Sequence, residues 1–304
     1  MTSSHTGAGP DLVIAGAARS ATTQLASRLS LHSSIDPCAV KEPNFFSSEY
    51  ERGTSWYDSY FSPRSASLVR MDASVSYTYP QHPDALRRLA KAAPKALVVY
   101  VVRDPVARAV SHYGLNKYYF GHEHSRDFGA ALSSRPFYLE VSDYERWLGE
   151  LHSTFPTDRL LVVPFQAVAE VGGDVANVVL ARLGLEEPPE VDEAQVRAHQ
   201  NNVVTFRNQT LRRVTRTLRH SAAYPAVRRV LGPYAVKRVR ALVTRVPDMP
   251  TTDQALGSCD QRQRDEMDAL RDRVEKAVAD ELEQQDARLG LSWARHWVPS
   301  PAAQ

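Results

Sequence analysis

The chain has 304 residues, 43% of them hydrophobic and 24% charged, with a formal net charge of +2. This is the composition of a globular, soluble protein, large enough for one sizeable α/β domain or two small ones. No run approaches the roughly 18 apolar residues of a membrane span, and the first ten residues lack a basic region followed by an apolar core. The two cysteines, Cys38 and Cys259, fit no metal or disulfide spacing, so a reducing, cytoplasmic setting is expected.

Residues 1–10 read as a disordered lead-in, followed by one domain over 11–298 and a tail over 299–304. Leu12–Ala15 is apolar without alternation, the pattern of a strand buried on both faces of a parallel sheet. Gly16 to Ala21 is a loop of mostly small residues, and Thr22 opens a helical pattern with Leu25 and Leu29 on one face. A strand, a tight loop and a helix N-terminus together make an anion site, because the first helical N–H groups have no intrahelical partner. Arg19 adds a fixed charge, and Thr22 and Thr23 add hydroxyl donors. Laid on the P-loop template, Gly16 fits the first glycine, whereas Ala21 and Thr22 stand where the second glycine and the lysine belong. The missing lysine argues against ordinary Mg-ATP chemistry.

Ile35–Val40 reads as a second strand leading to Lys41-Glu42-Pro43-Asn44-Phe45-Phe46, where Pro43 biases Glu42 toward an extended backbone. The aromatic stretch over 47–66 is either core or a flap over a substrate. Leu68–Ala73 reads as a strand, Pro83–Ala93 as a helix and Ala96–Val102 as the clearest buried strand. Directly after it, Asp104 is placed to cap a helix with Pro105 in its first position, leaving Arg103 at the strand's carboxyl end, where open α/β sheets bind ligands. Arg103 and Ser111 are spaced so that they can share one phosphate. His122 and His124 invite a metal reading, but no third ligand pattern accompanies them, and no metal is expected. Tyr118, Tyr119 and Phe120 form an aromatic cluster beside them.

Asp143–Phe155 reads as an amphipathic helix, Arg159–Phe165 as a strand and Val175–Leu185 as a helix. From Ala194 to Pro247 there is no acidic residue among many arginines, yet apolar residues recur at helical spacing, which favours packed helices with basic outer faces. Residues 248–258 read as a Pro/Thr/Gly linker, and a long charged helix follows through Arg288.

Three of these segments resemble one family. The Arg19-Ser20-Ala21-Thr22-Thr23 loop resembles the 5′-phosphosulfate loop of sulfotransferases that use 3′-phosphoadenosine 5′-phosphosulfate (PAPS). Lys41-Glu42-Pro43 with Phe45 and Phe46 is similar to the segment carrying the catalytic base in heparan-modifying and related bacterial members. The Arg-x-Pro-x-x-Arg-x-x-Ser-x-Tyr pattern from Arg103 to Tyr113 resembles the family's 3′-phosphate segment. Asp72 to Tyr77, the stretch around Arg207 and the ending at Trp293 are similar to further family segments.

The resemblance implies an α/β fold, P-loop-like and three-layered, with a central parallel sheet and a helix-rich C-terminal part. It implies sulfuryl transfer from PAPS, leaving 3′,5′-ADP, to a hydroxyl or amine of a small-molecule, sugar or lipid acceptor. Glu42 is then the general base, with His112 as the second candidate. Arg19, Ser20, Ala21, Thr22 and Thr23 hold the 5′ end; Arg103, Ser111 and Arg207 serve the 3′ side; Lys41 steadies the sulfonate or an anionic acceptor group. The protein is expected to be a monomer or homodimer that binds no nucleic acid. Three departures stand out: Arg19 replaces a lysine, Ser20 and Ala21 replace glycines, and Ala73 leaves out a second cation. A P-loop-type kinase and a non-catalytic nucleotide- or nucleic-acid-binding protein remain the alternatives.

Overall fold

The computed structural model describes residues 9–186, 205–206, 244–245 and 249–297, without the side chains of 170–173, 205–206 and 244–245. Five parallel strands form the central sheet: β1 (Leu12–Gly16), β2 (Ile35–Pro37), β3 (Val69–Asp72), β4 (Leu97–Val102) and β5 (Leu160–Pro164). Their spatial order is β2-β3-β1-β4-β5, so β1 lies at the centre with β3 on one side and β4 on the other. The chain fills one half of the sheet before crossing β1 to build the other. A cleft therefore opens at the carboxyl end of β1, the position where such sheets take ligands.

The apolar runs are unbroken because both faces of the sheet are covered. Val98, Tyr100 and Val102 face one core, shared with α3 (Ala85–Ala92), α4 (Pro105–Gly114), α7 (Tyr144–Thr154) and a long final helix. Leu97, Val99 and Val101 face the other core, formed with α1 (Thr22–Leu29) and α8 (Phe165–Arg182). Between these lie α2 (Thr54–Asp58), α5 (Phe128–Ser134) and α6 (Phe137–Glu140), and the chain closes with α9 (Thr252–Leu256) and α10 (Gln261–Leu289). This is the three-layer α/β arrangement expected from the sequence.

Several boundaries differ. β2 stops at Pro37, three residues short of the expected Val40, because beyond Cys38 the backbone bonds to Tyr60 instead of β3. α8 begins at Phe165, not Val175, since it starts directly from β5 and Gln24 of α1 donates to the Val168 carbonyl at 3.1 Å. The expected linker over 248–258 contains α9, closed by a capping box between Thr251 and Gln254. It is tied into the fold by Ser258, whose hydroxyl accepts from the Gly129 N–H at 3.0 Å. The aromatic stretch over 47–66 is mainly core: Tyr57 is buried and stacks on Phe45 at 4.5 Å, with Trp56 and Phe61 packed against them. Apart from a short antiparallel pairing of Thr205–Phe206 with Thr244–Arg245, the basic stretch from 194 to 247, including Arg207, lies outside the described residues.

α10 buries a stripe from Met267 through Leu270, Val274 and Val278 to Leu282. Gln285 ends this stripe and pairs with β5 as a strand would. Its Nε2 donates to the Val162 carbonyl and its Oε1 accepts from the Val162 N–H, both at 2.8 Å. One side chain thus satisfies both free backbone groups of an edge strand, each of which would cost about 1–3 kcal/mol if buried unpaired. Gln285→Leu is expected to destabilise the protein by about 2–4 kcal/mol in urea unfolding, whereas substitution of exposed Glu283 should leave the midpoint unchanged.

Candidate active site

The loop between β1 and α1 is shaped by backbone conformations that its residues do not favour. Gly16 has φ +152°, and a Cβ there would lie 2.6 Å from the Thr78 hydroxyl and 2.8 Å from the Tyr100 ring. Only glycine fits. Arg19 and Ala21 also lie in the left-handed region, at φ 72° and 60°, which costs an L-residue roughly 1–2 kcal/mol. Ala21 thus takes a left-handed conformation at a position where the resemblance expects glycine, whereas Ser20 keeps a negative φ. Thr78 fastens the loop's base by donating to the Ala15 carbonyl at 3.0 Å. No side chain caps α1, so its first N–H groups remain directed at the loop beside Thr22 and Thr23.

Three arginines converge here. Arg19 Nε donates to Ser111 Oγ at 3.0 Å, and Arg103 Nη1 donates to the Arg19 carbonyl at 3.0 Å. The loop, the end of β4 and the second turn of α4 are thereby joined in one polar site, with Arg103 also resting on the Phe165 ring at 4.6 Å. Arg108 is fully buried behind them. Its guanidinium donates to Ser142 Oγ, the Tyr138 carbonyl, the Ala18 carbonyl and His112 Nδ1, at 2.6 to 3.3 Å. Among the described residues no carboxylate forms an ion pair with any of the three. Burial and mutual repulsion lower the pKa of Arg19. Uncompensated buried charge is expensive, and an anion supplies the compensation. Ser20 Oγ is buried at the same loop, near the Tyr144 hydroxyl.

The geometry removes His112 as a base. Arginine has no acceptor, so the contact at Nδ1 is donated by Arg108, and the ring's proton sits on Nε2. Burial and the neighbouring guanidiniums push its pKa well below the usual histidine value. It remains a neutral ring without a free lone pair, packed among Tyr79, Phe137 and Tyr138.

Glu42 is different. It is half-buried, and its φ is +55°, so Pro43 does not hold it extended; the chain turns left-handed at Glu42 and again at Asn44, where φ is 53°. A hydroxyl network fixes that turn. Asn44 N donates to Ser74 Oγ at 3.1 Å, and Ser76 Oγ donates to Asn44 Oδ1 at 2.6 Å. Ser74, Tyr57 and Tyr77 all donate to the buried Asp72, at 2.6 to 2.8 Å. Desolvation raises the Glu42 pKa, Asp72 adds to the rise, and Lys41 and Arg19 oppose it. Lys41 stands exposed beside it. Both, with Thr22 and Thr23, line a cleft of about 320 Å³ alongside α1. Ala73 lines the same cleft and brings no cation. The sequence reading left out Arg108 and the Asp72 network; their signal was Arg108 within the Arg103–Tyr113 pattern and the run of hydroxyls from Ser74 to Tyr79.

Tyr118 and Phe120 are partly exposed on a π-helical turn after α4, and Phe120 stacks on His122 at 5.5 Å. Among the described residues no group of three or more His, Cys, Asp or Glu side chains is placed to hold a metal. Nor is any helix among them long and apolar enough to cross a membrane.

Residues 68–189 match the sulfotransferase family. Over 104 residues the chain is 34% identical to human heparan sulfate glucosamine 3-O-sulfotransferase 6, covering 34% of this chain and 30% of that protein. Over 110 residues it is 36% identical to the bifunctional heparan sulfate N-deacetylase/N-sulfotransferase 1 of Caenorhabditis elegans, covering 34% of this chain and 12% of that one. A sulfotransferase from Alicyclobacillus acidocaldarius superposes with a TM-score of 0.51 at 24% identity, over 61% of this chain and 87% of that chain, and shares the fold. Over residues 68–189 the chain is thus similar to the sulfotransferase family, and over 104 to 110 residues to its heparan-sulfate-type relatives. It spans under a third of the two curated relatives. The family match contains Arg103 and Ser111 but begins after the loop and Glu42, whose roles rest on their own geometry.

Arg108→Lys keeps the charge but cannot reach the same set of acceptors, leaving buried oxygens unpaired at about 1–3 kcal/mol each. It is expected to cost about 2–4 kcal/mol in urea unfolding, more than Arg126→Lys at the exposed surface.

Proposed function

We propose that the chain transfers the sulfuryl group of PAPS to a hydroxyl or amine of a small-molecule, glycan or glycolipid acceptor, with Glu42 as general base. The observation that carries this reading is the gathering of Arg19, Arg103 and Arg108 around an uncapped helix N-terminus, without an ion-paired carboxylate among the described residues and next to a half-buried glutamate. A doubly phosphorylated nucleotide fits such a donor set. Arg19, Ser20 Oγ, the Ala21 backbone, Thr22 and Thr23 would hold the 5′ end, and Arg103 with Ser111 the 3′-phosphate. Arg207 would join the 3′ side.

PAPS, when bound, supplies the activated sulfonate and a phosphate leaving group. Glu42 accepts the proton of the attacking hydroxyl or amine, a contribution worth typically 10²–10⁴-fold. Arg19 and the helix N–H groups stabilise charge that develops on the leaving oxygen, and a single such donor is worth about 2.7–4 kcal/mol in other enzymes. Arg19 cannot give up a proton, so it acts by charge and hydrogen bonding alone. Lys41 faces Glu42 and is suited to steady the sulfonate or an anionic acceptor.

Glu42→Gln is expected to lower kcat by 10²–10⁴-fold while 3′,5′-ADP still binds in calorimetry. Arg103→Ala should weaken that binding at least tenfold, and 3′,5′-ADP should raise the Tm more than ATP with magnesium does. A larger shift with ATP favours the kinase alternative.

The pH profile offers a separate check. A base with a raised pKa is lost as pH falls through that raised value, so kcat/KM should decline at a higher pH than an ordinary glutamate gives. Lys41 pulls the value down, and Lys41→Ala should therefore move the acid limb upward. An unmoved limb would assign the base to another group.

A further inference from the structure

The cleft beside Glu42 extends well beyond the reacting groups. It follows α1 from Thr22 and Thr23 to Ser30 and Leu31, a rise of about 12 Å, and the segment from Pro37 to Glu42 forms its opposite wall. The polar groups that matter for transfer collect at the Thr22 end. Along the rest, Ala26 and Leu31 line one side, Pro37, Ala39 and Val40 the other, with Met71 toward the sheet. The polar atoms of these walls make few demands. Ser30 Oγ already donates to the Ala26 carbonyl at 2.7 Å, and burial pushes the Cys38 thiol up to about 11, so that it stays uncharged.

Sheet order decides which reactant belongs there. Arg103 and Ser111 follow β4, on one side of β1, whereas the cleft lies against β3 and the segment after β2, on the other. The nucleotide's two anionic ends are accounted for on the β1 and β4 side. The cleft begins at the carboxylate that would deprotonate the acceptor and runs away from the arginines. Its hydroxyls, Thr22, Thr23, Ser27 and Ser30, all lie on the α1 wall. The facing wall from Pro37 to Val40 offers only the Cys38 thiol, and among the described residues Lys41 is the one cation lining the cleft.

We infer that this cleft binds an alkyl or acyl chain attached to the acceptor hydroxyl, so that the acceptor is an apolar-chain alcohol or glycolipid and not a free sugar or polysaccharide. The inference rests on the sulfuryl-transfer reading for its orientation, with the chain's polar end at Glu42. The chain's apolar surface leaves water against Ala26, Ala39, Val40 and Met71, which strengthens binding by up to about fourfold for each fully buried methylene.

The experiment compares methyl and octyl β-D-glucoside as acceptors, and measures octyl glucoside binding by titration calorimetry in the presence of 3′,5′-ADP. Octyl glucoside should show a KM at least 30-fold lower than methyl glucoside and bind where methyl glucoside does not. Ala39→Trp, an exposed position on the wall, should reduce octyl glucoside binding at least tenfold and leave 3′,5′-ADP affinity unchanged. Ser27→Trp, on the facing wall, provides the same test should the first variant fold poorly. If neither glucoside is sulfated but octyl glucoside still binds in a manner sensitive to these variants, the chain site stands and the transfer reading fails. Equal binding of the two glucosides, or octyl glucoside binding untouched by both variants, overturns the inference.

Discussion

Three guanidinium groups crowd one loop without an ion-paired carboxylate among the described residues, and much of the surrounding structure serves to hold them there. Arg108 is the fixed member, its donors spent on Ser142, His112 and the carbonyls of Ala18 and Tyr138. Arg103 and Arg19 remain partly exposed in front of it and are linked through the Arg19 carbonyl. Like charges held this close favour whatever anion enters, and in a partly desolvated site the attraction is stronger than at an open surface. The turns at Arg19 and Ala21 are left-handed, a conformation that costs L-residues energy and that the surrounding fold must hold.

The second constraint acts on Glu42. A carboxylate at a strand end would ordinarily be solvated. Here the left-handed backbone at Glu42 and Asn44 is pinned by Ser74 and Ser76, and these in turn belong to a buried array of hydroxyls around Asp72. The array positions the carboxylate between one anion and two cations. The opposing charges of Asp72 on one side and Lys41 with Arg19 on the other set its basicity, and desolvation is the largest influence. In the proposed transfer, proton acceptance at Glu42 and anion binding are thus coupled through Arg19, which lowers the Glu42 pKa.

Much of this arrangement was legible in the chain itself. The unbroken apolar runs at Leu12 and Leu97 signal strands covered on both faces, and Asp104-Pro105 marks the helix start that leaves Arg103 at the strand end. Asp104 does cap that helix, accepting from the Ala107 N–H at 2.6 Å. The readings that failed were local ones overridden by distant partners. Pro43 favours an extended Glu42, but the bond from Asn44 to Ser74, thirty residues away, turns the chain left-handed. The supposed linker at 248–258 is ordered because Ser258 and Gln263 bond to Gly129.

Sequence alone determined the strands buried on both faces and the strand–loop–helix turn at Gly16 to Thr22, because period, capping and small-residue loops are local properties of the chain. The layer arrangement followed from the family resemblance. Only the tertiary structure decided that Arg19 meets Ser111, that His112 is locked as a neutral ring, and that Glu42 opens onto an apolar cleft along α1. These depend on pairings between residues tens of positions apart, whose geometry is set by sheet order and core packing and leaves no mark on any short stretch of sequence.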